Sequence, residues 1–299
     1  MFRGVYCALN IQINGSLRFW ILLYFFGKKL EVVENEYLKK LMDPPILLEK
    51  EHFLVKFAET PEEIEAAKRL RYSVFVEEQG HLSDKAVPDS IDEDEFDPYC
   101  LHLIIVERNL NEIIGTYRVH PGAVALEGLG FYSEQEFKFE GLDKIADSIV
   151  EVGRSCVKPE FRNGAVVALL WTGMALVHAR TNCQYLLGCV SLTTTDATIG
   201  YAVREYMRKQ GDVFTNVVKA TPQPDYELPE PDWQEVDELV NGARRSELRK
   251  LMPPLLKGYL RLGAKFSEEP VLDKEFGAID FLVLLDFDEM EHKYARHFL

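Results

Sequence analysis

Two kinds of apolar pattern alternate along the chain: short runs that suit strands, and apolar residues spaced as on one helix face. The clearest unit is central. Ile149, Val150, Val152, Cys156 and Val157 make a strand-like run, which Pro159 ends because proline has no N–H for a sheet ladder. Arg162, Asn163 and Gly164 then form a tight polar turn. From Ala165 onward Val166, Leu169, Leu170, Gly173, Met174, Leu176 and Val177 recur at helical spacing. A strand feeding a glycine turn and a helix N-terminus aims several backbone N–H groups at one spot. That spot suits an anion such as a phosphate.

The same reading predicts a strand over 52–57 and a helix from Thr60-Pro61 through Phe75, ended by Gly80. Threonine caps that helix, proline opens its first turn, and Glu62 and Glu63 face its positive end. Residues 101–107 and 113–120 form a hairpin around a turn at 109–112. Residues 185–192, 213–221 and 279–287 are further strands. A helix capped by Asp196 or Thr198 runs to Met207, and 237–262 is helical in two pieces broken by Pro253-Pro254. Residues 121–147, rich in glycine and phenylalanine, read as a partly helical flap, and 222–231 as a proline-rich crossing. Antiparallel signals therefore flank one parallel strand–helix–strand unit. The fold expected is α/β, a mixed central sheet flanked by helices.

Residues 1–45 stand apart as an N-terminal apolar extension, with Asp43-Pro44-Pro45 marking the boundary to a main domain over 46–299. The unbroken apolar run 19–26 is far shorter than the ~20 residues needed to cross a bilayer. Its aromatic residues, followed by Lys28 and Lys29, suit either the membrane interface or a helix packed on the main domain.

Composition narrows the class. A hydrophobic fraction of 47% in 299 residues supports a proper core, and a net charge of -15 argues against a nucleic-acid partner. Five cysteines, none at C-x-x-C spacing, point to a reducing, cytoplasmic setting with neither a disulfide frame nor a metal site. The interfacial reading of the extension would add peripheral contact with the inner membrane.

Charge sits where a buried strand should carry none: Glu151 and Arg154 interrupt the central run. In a regular strand residues three apart face opposite sides, whereas a bulge near Gly153 would bring them together. They are either a structural ion pair or part of a site. An acidic loop precedes the hairpin, with Asp92, Asp94 and Asp97 among its carboxylates. It is either solvated or holds a cation, and Arg118 lies within the second hairpin strand.

Taken in order, Arg71-x-x-x-Phe75, Asp94-x-x-Asp97, Gly115-Thr116-Tyr117-Arg118 and Glu151-x-x-Arg154 resemble the series carried by acyl-homoserine-lactone synthases and N-acyl amino acid synthases of the GNAT superfamily. Tyr132-Ser133-x-x-Glu136-Phe137, Glu151-x-Gly153-Arg154-Ser155-Cys156-Val157 and Gly188-Cys189-x-Ser191-Leu192 are similar to the ornithine Nα-acyltransferase group, over about residues 52–299. The resemblance implies a GNAT-like fold. It also implies direct transfer of a 3-hydroxyacyl chain from acyl carrier protein to the α-amine of an amino acid, ornithine first, with glycine or lysine as other acceptors. Glu151 would be the general base, with Arg154 and Asp97 beside it. Arg71, Phe75, Asp94 and Arg118 would bind substrate or order the acidic loop. Val157, Arg162, Asn163 and Gly164 resemble the segment that cradles a pyrophosphate in coenzyme A enzymes. Ala165 replaces its usual second glycine, which favours the single phosphate of phosphopantetheine over coenzyme A. No bound cofactor or metal is implied, and Cys156 keeps a packing role. Two other readings are an acetyl-coenzyme A-dependent GNAT enzyme and a membrane-active, hemolysin-like protein acting through residues 17–29.

Overall fold

The computed structural model describes residues 35–80, 88–162, 164–211 and 213–290. The apolar run at 19–26 lies outside them. In chain order the helices are α1 (Glu36–Met42), α2 (Pro61–Tyr72), α3 (Gly122–Glu127), α4 (Ala165–Thr181), α5 (Ala197–Arg208), α6 (Trp233–Val240), α7 (Arg245–Leu251) and α8 (Pro254–Leu262). The strands are β1 (Ile46–Lys50), β2 (Phe53–Phe57), β3 (Leu101–Glu107), β4 (Glu112–Pro121), β5 (Phe137–Glu140), β6 (Ile149–Val157), β7 (Tyr185–Leu192), β8 (Lys219–Pro222), β9 (Lys265–Phe266), β10 (Val271–Asp273) and β11 (Ala278–Asp286).

Local chemistry sets the ends of these elements. The Thr60 hydroxyl accepts the Glu63 N–H at the start of α2, with Pro61 in its first turn. The helical path continues from Tyr72 through a π-turn, Ser73–Glu78, and stops at Gly80, whose φ is 72°. Asp196 caps α5 through the Thr198 N–H.

Nine strands form the main sheet in the order β1-β2-β3-β4-β6-β7-β11-β10, with β9 also on β11. Every pairing is antiparallel except β6 with β7, which α4 connects. This is the mixed α/β sheet expected. One face packs on α4 and α5 to α8: Val166, Leu170 and Met174 meet Leu103, Ile105, Val150 and Val152 there, and Leu38 and Leu41 of α1 join the same core. The other face carries α2, α3 and the flap. Phe131 and Phe137 fill a core there with Ile149, Leu187 and Leu282, so the flap's phenylalanines mainly serve packing.

Three expectations change. Residues 213–218 are not a strand: Phe214 makes one bridge to Phe266, and β8 begins only at Lys219. The 237–262 region is three helices, because a break at 241–244 separates α6 from α7. The flap also contains a strand, β5, which pairs with β8.

Candidate active site

β6 and β7 run side by side only from Ile149 opposite Tyr185 to Val152 opposite Gly188. Beyond that point β6 stays with β4 and β7 stays with β11, so the two strands part. Gly188 occupies the closest approach, where a Cβ would stand 2.4 Å from the Val152 carbonyl oxygen. A cavity of about 250 Å³ fills the split. Glu151, Arg154 and Tyr132 line it on the flap side, and Tyr117, Pro253 and Leu255 on the α8 side.

The register between β4 and β6 slips at the split. Thr116 faces Cys156 and Arg118 faces Gly153, which leaves Arg154 and Ser155 opposite Tyr117. Arg154 takes a φ of 51°, the left-handed value of a bulge. This bulge lies one residue past Gly153 and turns Arg154 to the side that Glu151 occupies. Glu151 and Arg154 do not pair with each other. Glu151 Oε2 accepts the Tyr132 N–H at 2.6 Å and Oε1 accepts the Ser133 N–H at 2.8 Å. His120 Nδ1 stands 3.6 Å from Glu151 Oε2, and neither ring nitrogen of His120 has a hydrogen-bond partner among the described residues.

Arg154 instead joins an ion network with the acidic loop. Arg71 donates to Asp92 at 2.6 Å and to both oxygens of Asp97 at 2.6 and 3.1 Å. Arg118 donates to both oxygens of Asp94 at 2.6 Å. Arg154 lies 3.5 Å from Asp92 and 3.5 Å from Asp94. Three guanidinium groups thus meet three carboxylates. Burial alone would raise the Asp97 carboxyl, but the Arg71 guanidinium against it holds it far below the usual carboxylate range. The Arg118 and Arg154 guanidinium carbons each lie 5.3 Å from the centre of the Tyr132 ring, a cation–π clamp.

The structure therefore divides the residues singled out from sequence. Glu151, Arg154, Arg118 and Phe75 line the cavity, with Phe75 edge-on to Phe276 at 5.5 Å. Arg71, Asp94 and Asp97 stand behind the wall and fix the loop. All three arginines pair with the loop carboxylates, and Arg118 and Arg154 also face the cavity. Val157, Arg162 and Gly164 lie at the end of β6 and the start of α4, away from the cavity lining. Arg162 forms a two-pronged pair with Glu78 and also donates to the Val157 carbonyl. Gly164 precedes α4 with a φ of 41°, and among the described residues no side chain caps that helix. Asn163 lies outside the described residues. Burial pushes the Cys156 thiol up to about 12, in keeping with its packing role.

Sequence reasoning gave no role to His120, Tyr132 or Phe276, nor to three carboxylates on the same wall, Glu136, Asp273 and Asp280. Signals existed for three of them. Tyr132 and Glu136 stand in the Tyr132-Ser133-x-x-Glu136-Phe137 motif. Asp280 interrupts the apolar run of β11 just as Glu151 interrupts β6. Burial raises both Glu136, well above the usual range, and Asp280, to about 6; neighbouring carboxylates add to both shifts.

A parallel strand pair that splays beside a bulged strand and leads into a helix N-terminus is a GNAT-like fold, and the relatives place it among N-acyltransferases. The family profile of the acetyltransferase (GNAT) domain matches residues 70–172. The L-ornithine Nα-acyltransferase of Brucella abortus is 32% identical over 257 residues, 82% of this chain and 88% of that protein. The enzyme of the same name from Agrobacterium fabrum is 32% identical over 252 residues, 81% of this chain and 84% of that protein. The chain belongs to this L-ornithine Nα-acyltransferase family. Among solved structures, FeeM, an N-acyl amino acid synthase from uncultured soil microbes, is 12% identical with a TM-score of 0.43, covering 79% of this chain and 91% of that one.

Proposed function

We propose that this enzyme acylates the α-amine of ornithine with a 3-hydroxy fatty acyl group carried as a thioester on acyl carrier protein. The observation that carries this reading is Glu151, fixed by two backbone N–H groups in a cavity that opens where β6 and β7 part. The names of the relatives support ornithine as acceptor. In the reaction the α-ammonium first loses a proton to Glu151, directly or through water, and His120 stands ready beside that carboxylate. The free amine then attacks the thioester carbonyl. The oxyanion is met by backbone N–H groups near the bulge at Arg154 and Ser155. Collapse breaks the C–S bond and forms the amide, the nitrogen giving up its remaining extra proton, which the departing thiolate takes up.

The phosphopantetheine phosphate would rest at the uncapped start of α4, near Val157, Arg162, Asn163 and Gly164. A single glycine there suits one phosphate better than a pyrophosphate. The apolar wall at Tyr117, Pro253 and Leu255 suits the start of the acyl chain. The extension would bring the protein to the inner membrane surface as a peripheral contact. Among the described residues no helix is long and apolar enough to cross a bilayer.

The test is to mix purified enzyme with ornithine and either 3-hydroxyacyl-acyl carrier protein or the matching coenzyme A thioester. N-acyl ornithine, detected by mass spectrometry and formed faster from the carrier protein, is expected. Equal use of both donors would remove the carrier-protein part, and product from acetyl-coenzyme A alone would remove the long-chain part.

A further inference from the structure

We propose that Glu136, Asp273 and Asp280 seat the side-chain ammonium of a dibasic amino acid, in the same cavity where Glu151 meets its α-amine. The proposal rests on the acyl-transfer reading above and names what selects the acceptor. The three carboxylates come from two parts of the chain: Glu136 from the flap, and Asp273 and Asp280 from the end of β10 and the start of β11, the strand it pairs with. One oxygen from each lies within 4.8 Å of the others. Their residues are 2%, 7% and 4% exposed. Cys189 hydrogen-bonds to Glu136 and Ser191 to Asp280, but Glu136 Oε2 and Asp280 Oδ1 have no hydrogen-bond partner among the described residues, and both side chains line the cavity. Asp273 keeps one bond, accepting the Phe276 N–H at 2.8 Å. Arg154 and Arg118 also line the cavity but are engaged by Asp92 and Asp94, and Arg154 only partly offsets the rise of Glu136 and Asp280.

Buried carboxylates crowded together with unpartnered oxygens cost free energy unless a cation joins them. The shifts of Glu136 and Asp280 record that cost. An alkylammonium brings one positive charge and three N–H donors, one for each carboxylate. Hydrogen bonds of about 2.8–2.9 Å around a tetrahedral nitrogen place their acceptors about 4.7 Å apart, inside the limit observed. An acceptor with amines at both ends can then lie across the cavity. Its side chain is held by the triad and its α-amine is presented to Glu151. An acceptor lacking the second amine leaves the triad unpaired, which is how a polar subsite rejects an analogue.

The test compares kcat/KM for ornithine and for norvaline, which lacks the terminal amine, at saturating donor. Wild type should prefer ornithine on the order of 100-fold. Asp280→Asn and Glu136→Gln should each cut that preference at least tenfold, through KM for ornithine, with melting curves confirming that both variants fold. A preference unchanged in both folded variants overturns the seat. Calorimetric titration of ornithine into the resting enzyme decides the seat without turnover: binding weakened at least tenfold in the variants supports it, and binding unchanged overturns it. Titration with Mg²⁺ and Mn²⁺ covers the other cation. Metal binding that depends on these residues, with ornithine binding unaffected, also overturns the proposal. A wild-type enzyme that binds ornithine through the triad but acylates neither amino acid would sink the acyl-transfer reading and leave the seat standing.

Discussion

Glu151 has a backbone N–H on each carboxylate oxygen and the His120 ring beside it. Glu151→Gln keeps the side-chain shape but removes the basic oxygen. It should lower kcat by about 10²- to 10⁴-fold, with KM for the acyl donor little changed in steady-state assays. Cys156 sits in the same strand, yet its thiol is buried and pushed up to about 12. Cys156→Ala should retain turnover and trap no acyl-enzyme in mass spectrometry; loss of turnover in a folded variant would mark a direct role. Two carboxylates give opposite pH signs. Asp97 is held low by Arg71, so its stabilising effect is whole above the ordinary carboxylate pKa and drains away as pH falls below about 4. Asp280 is held high, so its ionised form costs stability above pH 6 and the cost fades as pH falls from about 6 toward 4. Asp280→Asn should therefore melt higher than wild type above pH 6, with the gain vanishing near pH 4. A gain independent of pH would contradict this origin.

At the scale of elements, the β6–turn–α4 unit was legible because local chemistry wrote it: an apolar run, a proline stop, a glycine turn and a helical repeat. The α2 cap, the hairpin of β3 and β4, and β7 were legible for the same reason. What escaped was pairing at a distance. β5 is four residues long and gains its ladder only from β8, about eighty residues later, and β9 has two residues. The false strand at 213–218 has strand-like residues but only one bridge to hold them. Two glycines of the split test its geometry in opposite ways. Gly188→Ala forces a Cβ against the Val152 carbonyl at 2.4 Å and should destabilise by about 1–3 kcal/mol in thermal or denaturant unfolding. Gly153→Ala meets nothing within 4 Å. It should leave unfolding unchanged while lowering kcat/KM, because the new methyl group enters the cavity beside Glu151. Equal effects of the two changes on stability would speak against this picture of the opening.

Across the whole molecule, an excess of acid stands against the docking of an acidic carrier protein proposed above. The basic residues from Lys158 to Arg208 are spread out and mostly paired with acids. Lys158 meets Glu112, Arg162 meets Glu78, Arg204 meets Glu269, and Arg208 meets Glu268. Arg180 lies at the far end of α4, about 25 Å from the turn by helical rise, and donates to the Leu41 carbonyl. Only Lys158 and Arg162 border the turn before α4. Arg162→Glu should raise KM for the acyl-carrier-protein donor and leave KM for ornithine unchanged. Equal change in both would locate docking elsewhere.

The sequence alone determined the class of sheet, the central strand–turn–helix unit and the charged positions Glu151 and Arg154, because each is written in residues close together in the chain. Tertiary structure decided what those charges do. The bulge brought Arg154 to the side of Glu151, the acidic loop claimed three arginines, and folding gathered Glu136 from the flap and Asp273 and Asp280 from the β10–β11 pair onto one wall. Spacing along the chain cannot encode such meetings, because they depend on which strands pair and where two of them part.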